Sequence, residues 1–172
     1  MKNRREFITE TVGVGVAAVG LPFVGSKAVE ASPKVVKFRC EICTCDVPNK
    51  NNRIYPKSVM ENAIKKFNSE PLYGMFQKGP ATTAEVNLAE ISHVVKDLKI
   101  EKSNNNDVLF GTIEFLDTPH GKIAKAMMDD DFNPAFRTNG IGSFKVDDEG
   151  RCIVKYDYKL VSISMSDAEY AA

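Results

Sequence analysis

Residues 90–118 read EISHVVKDLKIEKSNNNDVLFGTIEFLDT. Two runs rich in Ile, Val, Phe and Thr flank the polar stretch SNNN. Branched and aromatic side chains fit a pleated surface, and a short polar turn between two such runs predicts a β-hairpin. Immediately after it, Thr118-Pro119 is placed to cap and open a helix over Pro119–Asp129. Ile123, Ala126 and Met127 are the residues of that helix available for burial. The hairpin followed directly by a capped helix excludes a helical bundle and sets the class as mixed.

Working outward, the run before the hairpin, YGMFQKGPATTAEVN, reads as a loop broken by Gly74, Gly79 and Pro80. Ahead of it, Val59, Ala63, Ile64 and Phe67 recur at helical spacing and predict a helix over Ser58–Ser69, with Pro56 near its start and Pro71 beyond its end. VVKFRCEICTCDV predicts a strand over Val35–Val47. Beyond the second helix, FRTNGIGSFKVDD and RCIVKYDYKLVSISMS predict strands that meet at the Glu149-Gly150 turn. The order is β, α, β, β, α, β, β. It implies an α+β fold, a mostly antiparallel sheet or partly closed barrel with two packed helices.

Within the first of those C-terminal runs, NPAFRTNGIGSF (residues 133–144) has the look of a strand-turn-strand. Asn139-Gly140 would supply positive φ, and Gly142 a second point of close backbone approach. Such turns often present a nucleophile or an oxyanion hole. No serine or cysteine heads this one.

The chain has 172 residues, with 23 basic and 23 acidic side chains. That length suffices for one domain with a core. The balanced charge argues against a general nucleic-acid binder. Residues 1–31 differ in character from the domain at 32–172. Asn3-Arg4-Arg5-Glu6-Phe7-Ile8 is similar to a twin-arginine export signal, and an uncharged run from Val12 to Val24 follows it. Val29-Glu30-Ala31 has spacing that a signal peptidase accepts. The segment is a cleavable leader or a flexible arm that matches the pattern by chance. A membrane would be a partner only if the leader is used.

Cys40, Cys43, Cys45 and Cys152 raise a zinc reading, but His93 and His120 lie far off in sequence. Cys43 and Cys45 share one face of the expected strand, where a thiol serves as a small core hydrophobe. Were the chain exported, Cys152 could pair with one of the others. No metal and no cofactor is expected. Asp129-Asp130-Asp131, at a helix end, do not converge on one point and read as a solvated terminus.

Taken together, NKNNRIYPKSVMENAI, YGMF, ISHVVKDLKI, DVLFGTIEFLDTPHGKIAKAMM and NGIGSF, in this order, resemble the prohead core proteases of tailed bacteriophages. Those are serine proteases similar in fold to the herpesvirus assembly protease. The resemblance spans about Lys37 to Ile163. In the family's register the Gly-rich segment runs from Ala135 to Ser143, and the nucleophile position falls on Arg137. The loop register runs Gly74, Met75, Phe76, Gln77, and the histidine position falls on Lys78.

Arg cannot be deprotonated in a protein, so it cannot attack a carbonyl. A lysine base is protonated at neutral pH unless strongly desolvated or set beside another cation. The resemblance therefore implies a capsid-assembly or virion structural protein without proteolytic activity. Asn139, Gly140 and Gly142 would be the remains of an oxyanion-type turn. Its partners would be other phage capsid or scaffold proteins, or an active protease homologue. It would be oligomeric in assembly, in the host cytoplasm or virion. Two alternatives stand beside it. One is an active maturation protease with a Lys78–Thr138 dyad or a site built on His93, although a structural, hydrogen-bonded His93 suits its strand position. The other is a twin-arginine-exported envelope protein on the same fold.

Overall fold

The computed structural model describes residues 36–67, 70–77, 85–129 and 134–167. Among these the chain forms, in order, β1 (Lys37–Thr44), β2 (Arg53–Ile54), α1 (Lys57–Ile64), β3 (Leu72–Met75), β4 (Ile91–Ser103), β5 (Asn106–Phe115), α2 (Pro119–Asp129), β6 (Pro134–Ile141), β7 (Phe144–Val146), β8 (Cys152–Val154) and β9 (Lys159–Asp167). Residues 1–31, read as leader or arm, lie outside the described residues.

The hairpin at residues 90–118 forms as expected from its pattern. β4 and β5 pair antiparallel, and Asn104 and Asn105 between them have φ of 47° and 68°. A two-residue hairpin turn needs that left-handed backbone, and asparagine tolerates it better than most residues. β1 adds to the outside of β5 and β3 to the outside of β4, giving the antiparallel order β1-β5-β4-β3. β3 is a difference from expectation, because Tyr73, Gly74 and Met75 lie inside a stretch read as loop. Leu72 and Met75 are buried, and pairing with β4 satisfies their backbone in a way a short, Gly-broken run does not advertise.

β1 is shorter than the run Val35–Val47 suggested. Its ladder resumes after a bulge between Glu41 and Cys43 and stops at Thr44, two residues before a left-handed Asp46 (φ 60°). The Asp46 side chain then accepts from Lys57 N at 3.1 Å and caps α1, since Pro56 has no side-chain acceptor to offer. α1 buries Val59, Met60, Ala63 and Ile64 and passes into a 3-10 turn at Lys65–Phe67, within the expected Ser58–Ser69. Residues 68 and 69 are outside the described ones.

α2 has the expected bounds but turns a different face inward. Ile123 is 56% exposed and Ala126 is exposed, whereas Gly121 and Ala124 are buried and Met128 packs on the core. Thr118 decides this rotation. Its Oγ1 donates to Ile91 O at 2.6 Å and accepts from Gly121 N at 3.0 Å, pinning the first turn to the start of β4. A side chain at Gly121 would meet Ser92 O at 2.7 Å, so only glycine fits against the sheet there.

The C-terminal pair of runs does not form one hairpin. β6 pairs with β9, while β7 pairs with β8, which also carries β2 in parallel. Ser143 divides the two ladders: its N and Oγ both bond the Asp157 carboxylate, and its carbonyl accepts from Lys155 N. The β6–β9 ribbon lies across the open side of the four-stranded sheet. β9 meets β3 through a single bridge, Phe76 to Met165, and Gln77 N donates to Met165 O at 2.8 Å. On the other side Phe136 of β6 packs on Phe38 of β1, rings 5.8 Å apart, with no ladder between those strands. The class is α+β and mostly antiparallel, as expected, and the barrel is not closed.

The enclosed space holds Phe38, Ile42, Val95, Leu98, Leu109, Ile113, the α1 residues, Phe136, Leu160, Ile163 and Met165. Each such side chain, when fully buried, contributes roughly 1.5–3 kcal/mol. Cys43 and Cys45 belong to this core, and burial pushes their thiols up to about 12 and about 11. All four cysteines are free thiols.

Candidate functional site

Alternation along an antiparallel pair gives the β6–β9 ribbon two chemically different faces. Inward point Phe136 and Thr138, opposite Met165 and Ile163. On the other face Ala135, Arg137 and Asn139 stand opposite Ser166, Ser164 and Ser162. All three serines are fully buried, and Arg137 is only 7% exposed. Asn139 Nδ2 donates to Ser162 Oγ at 3.1 Å and also to Ser164 Oγ. Arg137 Nη2 donates to Gln77 Oε1 at 3.2 Å, and Arg137 Nε has no partner. Burial holds the guanidinium below its ordinary pKa, though arginine stays charged.

The segment NPAFRTNGIGSF is therefore not a strand-turn-strand about Asn139-Gly140. β6 runs through to Ile141, with a bulge opposite that leaves Val161 of β9 unpaired. Gly140 has no positive φ. Its role is close approach: a Cβ there would meet Lys159 O and the Tyr158 ring at 2.5 Å. Gly142 is similar, with Tyr158 Cα 2.7 Å from the added carbon.

The remaining candidates separate. Lys78 lies outside the described residues, and Gln77 is the last described residue before it. Thr138 sits on the opposite face of β6 from Arg137, beside the buried Tyr158, whose phenol burial pushes up. Strand alternation sends the Thr138 and Arg137 side chains to opposite faces of the ribbon. His93 is fully buried, edge-on to Phe136 and Phe115. Its Nε2 lies 3.0 Å from Ile163 O, which can only accept, so Nε2 carries the proton and donates. Nδ1 then accepts from Ser92 Oγ at 2.8 Å. Burial lowers the ring to about 4. Both ring nitrogens of His93 are thus hydrogen-bonded, and the side chain has no solvent access.

His120 is half-buried, with its Nδ1 unpartnered. Asp129 ends α2 exposed, and Asp130 and Asp131 lie outside the described residues. Among the described residues no three His, Cys, Asp or Glu side chains converge as a metal site would require. Gln77, Ser92, Ser162, Ser164 and Tyr158 were not singled out by sequence. The alternating run SISMS at 162–166 carried the one usable signal, a polar stripe on an otherwise apolar strand.

A family model described as prohead core protein serine protease matches residues 11–167. The chain belongs to that family. The match begins inside the stretch read as leader. No curated protein sequence matches this prohead protease family member. Among solved structures it is similar to the bacteriophage T4 capsid assembly protease, gp21, with a TM-score of 0.64 and 22% identity. The likeness covers 77% of this chain and 81% of that one, and at this identity it speaks for the fold alone. The meeting of β6 with the end of β3, where the buried Arg137 bonds Gln77, is the candidate functional site.

Proposed function

We propose that this prohead protease family member does not cleave peptide bonds and serves as a capsid-assembly or virion structural protein. One observation carries the proposal. Arg137, which the sequence resemblance puts at the nucleophile position, faces the polar side of β6 and bonds Gln77, the residue before the one that the resemblance puts at the histidine position. A guanidinium there neither attacks a carbonyl nor gives up a proton. The hydroxyls on the same face, Ser162 and Ser164, accept from Asn139, and no imidazole faces them among the described residues to activate either one.

Such a copy keeps the surfaces by which a family of assembly proteases meets capsid or scaffold proteins while lacking the cut. Its partners on this reading are those proteins or an active homologue, in the host cytoplasm and the virion, as part of an oligomeric assembly. Residues 1–31 act as an arm and stay attached. The test is incubation of the purified chain with the scaffold encoded beside it, together with a serine-directed fluorophosphonate probe. Uncut scaffold and an unlabelled chain are expected. Cleavage that survives Thr138→Ala and His93→Gln, or that either change abolishes, overturns the proposal. Mass spectrometry of the chain from virions checks the arm: a start at Met1 or Lys2 is expected, and a start at Ser32 indicates export.

A further inference from the structure

β3 covers only part of β4. Its ladder runs from Met75, opposite Ile91, to Leu72, opposite Val95, and Pro71 before it has no N–H with which to continue. Beyond a bulge between Lys96 and Lys99, β4 runs on to Ser103 paired with β5 alone. Ser103 and Asn106 flank the two-residue turn as a hydrogen-bonded pair, so by alternation Glu101 and Lys99 also bond β5. Ile100 and Lys102 aim their N–H and C=O the other way. Among the described residues nothing bonds them there.

That bare edge borders a groove. A cavity of about 590 Å³ opens between residues 97–101 of β4 and the end of α1 with its 3-10 turn. Its floor is apolar: Ile64, Phe67, Leu98 and Ile100 line it, and Ile64 and Leu98 are buried. Along the rim, Glu101 is held by Arg39 at 2.6 Å and Glu61 by Lys57 at 4.0 Å. Lys65, Lys99 and Asp97 make no ion pair among the described residues. The groove thus offers main-chain donors and acceptors on one wall, an apolar floor, and two free ammonium groups against one free carboxylate.

We infer that the groove takes an extended segment of another polypeptide, which adds a strand to β4 over residues 99–103. A bare strand edge is completed by the main-chain groups of another strand, whose alternate side chains then drop into the pocket beside it. The side chain opposite Ile100 enters the groove and is apolar. Its neighbours on either side lie on the outer face with Lys99 and are acidic, since Glu101 there is already neutralised by Arg39. The inference is independent of whether the chain cleaves. Gln77 and Arg137 meet beyond one end of β3, and the groove lies beyond the other.

The test reads the backbone amides of Ile100 and Lys102 in proton–nitrogen spectra of the full chain. The probes are acetyl-Val-Glu-Val-Glu-Val-amide, its Val-Lys counterpart, and the first peptide N-methylated at every residue. A saturable downfield shift of both amides with the glutamate peptide is expected. It should weaken at least tenfold with the N-methylated peptide, which cannot pair with an edge, and with Lys99→Glu, an exposed change that leaves the floor intact. Equal response to the N-methylated peptide, or none to any peptide, overturns the inference. Equal binding of the lysine peptide overturns the acidic assignment. Shifts that grow with the concentration of the chain alone put a second copy on the edge. Slow deuterium exchange of both amides without peptide shows the edge already covered from within the chain. Either result overturns the assignment to another polypeptide.

Discussion

Arg137 Nη2 and Gln77 Oε1 lie 3.2 Å apart, joining two segments sixty residues distant in sequence. Beside that bond, Gln77 N donates to Met165 O on the partner strand of Arg137. The end of β3 is thereby docked on the β6–β9 ribbon beside Arg137. On the proposed reading Arg137 holds the nucleophile position, which bears on what substitution there can restore.

Restoring Arg137→Ser together with Lys78→His is expected to return weak scaffold cleavage and fluorophosphonate labelling to a chain proposed to have neither. Arg137→Ser alone is expected to return neither, since a hydroxyl without a base is a poor nucleophile. Gel analysis of scaffold over hours and in-gel fluorescence check both. Labelling of the single variant at the level of the double would show that position 78 is not the base.

Arg137→Met is expected to stabilise the isolated chain by about 1–2 kcal/mol, because an aliphatic side chain of similar length removes an unpaired buried charge. Urea unfolding at neutral pH measures it. Destabilisation would mean that the guanidinium already has a strong partner.

His93 makes stability depend on pH. Its folded pKa of about 4 lies below the ordinary 6.5, so the unfolded state binds the extra proton between those values. The stabilisation is complete above about 6.5 and is lost as pH falls towards 4. A shift of this size corresponds to ~3 kcal/mol. His93→Gln is expected to lower stability at pH 7 and to flatten the decline between pH 7 and pH 4.5 relative to the native chain. Parallel curves for the two proteins would contradict a buried neutral imidazole.

Gly74→Ala is expected to cost more than about 3 kcal/mol, or to prevent folding, since an added Cβ would fall on both Ile163 O and His93 Nε2. Thermal melts measure the loss. Gly150→Ala, at a φ of 75° with open space around it, is the milder control, at about 1 kcal/mol from backbone strain alone.

Much of this architecture was legible in the sequence because it rests on local rules. The β4–β5 hairpin follows from two β-rich runs and an asparagine turn. α2 follows from Thr118-Pro119, and α1 from its apolar spacing. The residue type was readable too: the resemblance puts Arg137 at the nucleophile position, and a guanidinium is no nucleophile. What the sequence could not supply were relations set by contacts between distant segments. Ile123 is the more apolar of two neighbours, yet α2 buries Ala124, with Thr118 tied to Ile91 and Gly121 close against the sheet. Gly140 reads as a turn former, yet it is a point of close approach to Tyr158, a residue eighteen positions later. Thr138 and Arg137 differ by one position, and the pairing with Ile163 and Ser164 sends them to opposite faces. The sequence determined the elements and the residue types at the site. The tertiary structure decided which side chains share a surface, because strand register and helix rotation are fixed by partners that no local pattern names.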